Sequence, residues 1–132
     1  MEATTIQKFI HTSPRKLRLV ADMVRKMPPI KALEILQFTP KYAAKDLSLA
    51  IKTALSSAKQ GGLDEGVVFF KALEINGGPV MKRFTPASKG RALPFKRRMS
   101  HIKIVLSDET SDKENKVARK KVEGGETESS KT

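Results

Sequence analysis

Residues 75–107 hold eight basic side chains and not one carboxylate: Lys82, Arg83, Lys89, Arg91, Lys96, Arg97, Arg98 and Lys103. Such groups neutralise phosphate. An arginine offers a planar fork to two phosphate oxygens and can stack on a base, whereas a lysine acts as a point charge. A solvated helix face interleaves both signs of charge, and this stretch does not. Contact with a polyanion is therefore favoured over a bland surface loop, with Lys82, Arg83, Arg91, Lys96, Arg97 and Arg98 as the leading contacts.

A second basic group follows Ser13-Pro14, where Arg15, Lys16 and Arg18 stand at the expected start of a helix. Cations there oppose the helix dipole, and an outside anion would offset that cost. Ser100-His101 is the one pair that invites a catalytic reading. It lacks a positioned third group and an oxyanion site, so hydrogen bonding at the base of the basic stretch, or a 2′-hydroxyl or phosphate contact, is the better expectation. His11 is far away in sequence, cysteine is absent, and no metal-ligand spacing arises. No Walker loop or GxGxxG occurs either. An enzyme acting on nucleic acid would need carboxylates near its basic surface, so no catalytic role is expected.

The whole chain has 132 residues, 39% of them hydrophobic, a formal charge of +12 and a pI near 10.1. That is the length of one ordinary domain. Residues 1–74 carry 12 basic and 7 acidic side chains, and residues 108–132 carry 6 and 7, so two-thirds of the excess charge sits in 75–107. Nucleic acid and an anionic membrane are the usual partners of such a balance. No apolar run approaches the about 18 residues of a membrane span. The basic stretch is broken by Gly77, Gly78, Pro79, Pro86, Gly90 and Pro94, so it cannot be a single membrane-surface helix. Neither a secretory signal nor a transit peptide is expected at the N-terminus. Absence of cysteine fits a reducing, cytosol-like compartment.

The elements that must position these residues are legible in outline. Thr4 to Ile10 reads as a short strand. Ser13 as N-cap and Pro14 at the first helical position open a helix whose apolar stripe is Leu17, Val20, Ala21 and Val24, and Pro28-Pro29 ends it. A second helix buries Ala32, Leu33, Ile35 and Leu36. Thr39-Pro40 repeats the cap-then-proline pattern before a long helix with Ala43, Leu47, Ala50, Ile51, Ala54 and Ala58 on one face, stopped by Gly61-Gly62. Val67 to Ile75 and Ile102 to Leu106 read as strands. The 26 residues between them, 76–101, are too long for a structureless loop. They are expected to form an extended two-stranded ribbon with no apolar face toward the body, turning at Lys89-Gly90-Arg91. Phe84 and Phe95 flank that turn and either stack on bases or pack across the ribbon. Residues 109–132 are too polar to form a core and are expected to be disordered.

These strings resemble the ribosomal protein twenty-two family of the large subunit, in its bacterial form. Ser13-Pro14-Arg15-Lys16 with the Leu-Arg-Leu-Val-Ala-Asp run after it, Ala32-Leu33-Glu34-Ile35-Leu36, Phe38-Thr39-Pro40-Lys41, Gly78-Pro79 leading to Met81-Lys82-Arg83, Lys89-Gly90-Arg91-Ala92 and Ser100-His101-Ile102 appear in the family's order over residues 4–107. The resemblance implies an α+β fold in residues 1–108: three helices on a small three-stranded antiparallel sheet, with a long protruding hairpin at about 76–101 and the tail 109–132 outside it. It implies a structural constituent of the cytoplasmic ribosome that binds large-subunit rRNA and aids its assembly, without cofactor or membrane. The implied rRNA contacts are Arg15, Lys16, Arg18, Lys82, Arg83, Lys89, Arg91, Lys96, Arg97, Arg98, Ser100 and His101. Pro86, Ala87, Ser88, Lys89, Gly90, Arg91 and Ala92 would form a tip in the exit tunnel, near the nascent chain, and neighbouring ribosomal proteins would contact the body. The chain departs from the family pattern at Ala87-Ser88, where an arginine usually follows the proline, and at Ser57-Ala58-Lys59-Gln60, where an asparagine-containing segment is usual. A basic RNA or DNA chaperone outside the ribosome is the alternative. It accounts for the charge but not for the ordered strings.

Overall fold

The structure is a computed structural model, and it describes residues 1–64 and 66–108. The predicted disordered tail lies outside the described residues. In chain order the elements are β1 (Glu2–Ile10), α1 (Pro14–Val24), α2 (Pro29–Phe38), α3 (Tyr42–Gln60), β2 (Phe69–Pro86), a 3-10 turn (Ser88–Gly90) and β3 (Ala92–Ser107). The sheet is antiparallel in the order β1-β3-β2. The fold is α+β, with three helices and a three-stranded sheet, as expected.

β3 runs down the middle because it has the most apolar alternation to bury. Ile102, Ile104 and Leu106 are all nearly inaccessible, and they meet Leu73 and Ile75 of β2. Onto that face pack Leu17, Val20, Ala21 and Val24 of α1 and Leu47, Ile51 and the alanines of α3. Alanine at positions 43, 50, 54 and 58 lets α3 lie close to its neighbours. Among the described residues no helix covers the other sheet face, and Ile6, Phe9 and Glu74 are exposed on it.

Helix boundaries differ from the sequence expectation in two places. α1 ends at Val24, before Pro28-Pro29, and these prolines instead start α2, with Pro29 at its first turn. Proline is as much an N1 residue as a stop. Thr39 does not cap α3. It closes α2 by donating its hydroxyl to the Ile35 carbonyl at 2.8 Å, and α3 begins at Tyr42 with Lys41 as N-cap. The proline after Thr39 holds that threonine extended. Ile35 lies partly exposed, whereas Ala32 and Leu36 are buried as expected. Gly61 ends α3, and Gly62 follows at φ 83°.

Two bulges mark the place where the ribbon leaves the body. On β1, Lys8 and Phe9 together oppose His101, between the pairs Gln7↔Ile102 and Ile10↔Ser100. On β2, Gly78 and Pro79 together oppose Met99, between Gly77↔Ser100 and Val80↔Arg98. A bulge sharpens local twist and re-aims a strand, and two of them flank β3 where the hairpin begins. Gly78 is there because backbone is against it. A methyl group on it would stand 3.0 Å from the Met99 carbonyl carbon and 3.1 Å from the Ser100 nitrogen. Phe9 holds φ 60°, a left-handed conformation that costs a non-glycine residue about 1–3 kcal/mol.

Gly78→Ala is expected to lower the free energy of unfolding by about 1–3 kcal/mol. Gly77→Ala, where an added methyl meets nothing within 4 Å, should change it by less than about 1 kcal/mol. Urea unfolding of the two variants checks the difference.

Candidate nucleic-acid interface

Beyond the bulge, β2 and β3 pair in unbroken register from Val80↔Arg98 to Pro86↔Ala92. The seven pairs extend roughly 20 Å at the rise of a strand. Every residue from Lys82 to Pro86 and from Arg91 to Arg98 is exposed. The extended ribbon predicted for 76–101 is present, and it has no apolar face on the body.

Directly opposed residues share a face of the ribbon. Lys82, Lys96 and Arg98 therefore fall on one side, and Arg83 and Arg97 on the other. Lys82 stands straight across from Lys96. Like charges so placed repel. Lys103 alone of the eight pairs with a carboxylate, Glu74 at 3.5 Å; the other seven have no ionic partner among the described residues. Arg83 turns back to the Lys82 carbonyl at 2.9 Å. Phe84 lies opposite Pro94, and Phe95 opposite Arg83, so the two rings occupy different faces and do not pack on each other. A ribbon charged on both faces suits an anion that surrounds it better than one flat surface.

The tip is a tight turn closed by Ala87 N–H to the Arg91 carbonyl at 2.7 Å. Lys89 and Gly90 have φ 58° and 69°. The glycine was legible as a positive-φ position; the lysine before it was not.

At the ribbon's root a cleft of about 740 Å³ opens against the starts of α1 and α3. Lys16, Lys41, Arg97 and Arg98 line it, and no carboxylate does. Neither helix has a side-chain cap or an acid in its first turn, and Ser13 uses only its backbone carbonyl, for Lys16 and Leu17 N–H. In α1 Pro14 has no N–H and the next amides of the cleft are already bonded to Ser13, but Tyr42 and Ala43 at the start of α3 line this cationic cleft, a setting suited to phosphate. The structure brings Lys16 together with Arg97 and Arg98 and leaves Arg15 exposed outside the cleft. Arg18 goes elsewhere. Its guanidinium donates to the Ile75 carbonyl at 3.0 and 3.3 Å, and Arg25 donates to that of Leu73 at 3.3 Å, so both staple α1 to β2. Sequence reasoning missed Lys41. The cue was the one used for Lys16, a cation at a helix start.

Ser100 and His101 point to opposite faces of β3 and do not cooperate. Ser100 is fully buried and donates to the Thr12 carbonyl, while Thr12 donates to Asp46 of α3 at 2.5 Å. This chain of bonds ties the ribbon root to the helices, which was one of the two roles expected for Ser100. His101 accepts the Phe9 N–H on Nδ1 at 3.0 Å. Among the described residues no group of His, Asp or Glu is arranged to hold a metal ion, and no helix is long and apolar enough to cross a membrane.

The family profile described as ribosomal protein L22p/L17e matches residues 5–107. The chain belongs to this family. It is 43% identical over 109 residues to the large ribosomal subunit protein uL22 of Geobacter sulfurreducens, covering 82% of this chain and 98% of that one. It is 37% identical over 111 residues to uL22 of Myxococcus xanthus, covering 82% and 97%. With uL22 of Fusobacterium nucleatum the identity is 40% over 110 residues, covering 83% and 99%. Family membership spans both the helical body and the ribbon, and it ends where β3 ends.

Ser100→Ala leaves the buried Thr12 carbonyl without its donor. The expected loss is about 1–3 kcal/mol of unfolding free energy, read from the urea midpoint; an unchanged midpoint would contradict the proposed root tie.

Proposed function

We propose that the chain is a structural constituent of the large ribosomal subunit, in the cytoplasmic ribosome, and is not an enzyme. It binds the large-subunit rRNA, supports the folding and assembly of that RNA, and extends its hairpin so that Pro86 to Ala92 help line the nascent-chain exit tunnel. The body, residues 1–108, is one domain that also meets neighbouring ribosomal proteins.

The observation that carries this reading is the ribbon itself, about 20 Å of paired strand with cations on both faces and no carboxylate of its own. A-form RNA hides its bases in a deep, narrow groove, and proteins meet its phosphates, 2′-hydroxyls and shape. A ribbon two strands wide can pass between RNA helices where a globular surface cannot. Lys82, Lys96 and Arg98 then face one RNA wall while Arg83 and Arg97 face the other. Arg91 and Lys89 follow at the tip. The root cleft takes a further phosphate with Lys16, Lys41 and the start of α3. Each neutralised phosphate releases a counterion, so affinity falls with salt.

Replacing Arg91, Arg97 and Arg98 together by alanine is expected to weaken binding to large-subunit rRNA. It should also reduce the slope of log K against log salt by about 2–3, with the unfolding midpoint unchanged. Filter binding across a salt series gives the slope. An unaltered slope would contradict the reading. Equal affinity of the native chain for unrelated RNA would favour a general basic chaperone.

A further inference from the structure

Phosphate contacts fix position but carry little sequence information, and the sheet face that no helix of the described residues covers offers a different kind of contact. Phe9 is 57% exposed there. Among the described residues it and Lys89 are the two non-glycine positions with positive φ. Lys89 needs that conformation to turn the hairpin. Phe9 lies inside a strand, and nothing about chain reversal requires it. Strained backbone that holds a large apolar ring in solvent is disfavoured twice over, and such strain gathers where a ligand is met.

The ring is held in one place. The Phe9 N–H is bound by His101 Nδ1 at 3.0 Å. The two rings meet edge to face, with centroids 5.2 Å apart and planes at 88°. Because Nδ1 accepts, the proton of the neutral imidazole sits on Nε2, which is left as a single hydrogen-bond donor. Asn76 lies directly across from His101 on β2 and is exposed, with both a donor and an acceptor. The neighbouring charge is positive: Lys8 in the same bulge is exposed, and Glu74 is matched by Lys103 at 3.5 Å.

We propose that Phe9, His101 and Asn76 form a seat for one unstacked nucleobase of the bound RNA, which stacks on the phenyl ring while its edge meets the imidazole N–H and the amide. The seat rests on the RNA-binding reading above and adds to it a contact that reads a base. The cationic surroundings and the mixed donors and acceptors favour a base over an apolar side chain of a protein neighbour. A phenyl ring accepts the π-face of any base, and the polar pair selects among edges.

Phe9→Gly tests this cleanly, because glycine adopts positive φ without strain. The unfolding midpoint should stay the same or rise, so lost binding cannot be laid to misfolding. Binding of the full chain to large-subunit rRNA should weaken about tenfold with an unchanged salt slope, since no phosphate contact is removed. Phe9→Trp should restore affinity. Chemical probing of the RNA should show one base whose Watson–Crick edge is protected by the native chain and by Phe9→Trp, and open with Phe9→Gly. Native affinity in Phe9→Gly would overturn the seat while leaving the RNA reading intact. Impaired incorporation of Phe9→Gly into subunits with RNA affinity unchanged would assign the ring to a protein neighbour and also overturn it. A native chain that shows no salt-dependent RNA binding would sink both readings.

Discussion

Lys82 faces Lys96 across the ribbon, and six strand positions away from the body there is still no carboxylate to separate such charges. The repulsion is modest in water, where two charges about 4 Å apart interact by about 1 kcal/mol. Among the described residues no carboxylate pairs with either lysine. Beyond its root the ribbon has main-chain pairing and exposed side chains on both faces, and a lone two-stranded ribbon is marginal in water. What such an arm lacks, a polyanion supplies: counter-charge on both faces and walls to pack against. The body holds the root of this arm.

That hold depends on the few residues where the strands leave the sheet. Bulges on β1 and β2 bracket Ser100, which is bonded inward to Thr12, and Thr12 to Asp46. Gly78 lets the Met99–Ser100 backbone approach closely. On the inner face Arg18 and Arg25 grip the carbonyls of β2 just before it departs. The rigid body thus ends abruptly at Ser100, and the arm begins within two residues of it. Polar groups at this junction are satisfied by one another, so the junction is specific in a way that an apolar contact would not be.

Much of this was legible in the sequence for simple reasons. Ile102, Ile104 and Leu106 alternate as a half-buried strand must, and the alanine and leucine stripe of α3 repeats at helical spacing. An acid-free stretch needs only counting. Ser100 shares the parity of Ile102 and Ile104, so its burial was within reach. Other features were not. Pro28-Pro29 and Thr39-Pro40 each sit between two helices, and a proline or threonine there serves either neighbour; only packing decides which. The bulge at Phe9 has no glycine to announce it, because a cross-strand bond to His101 holds it. Arg18 looked like a free cation beside Lys16, yet helical rotation carries it toward Ile75 and away from the cleft.

Amide hydrogen exchange on residues 80–98, in the free chain and bound to large-subunit rRNA, bears most directly on an arm ordered by its partner. Fast exchange in the free chain, beside a protected α3 and a protected run from Ile102 to Leu106, is the predicted pattern, with the arm slowing strongly when RNA is bound. An arm already as protected as the body before any RNA is added would contradict the account.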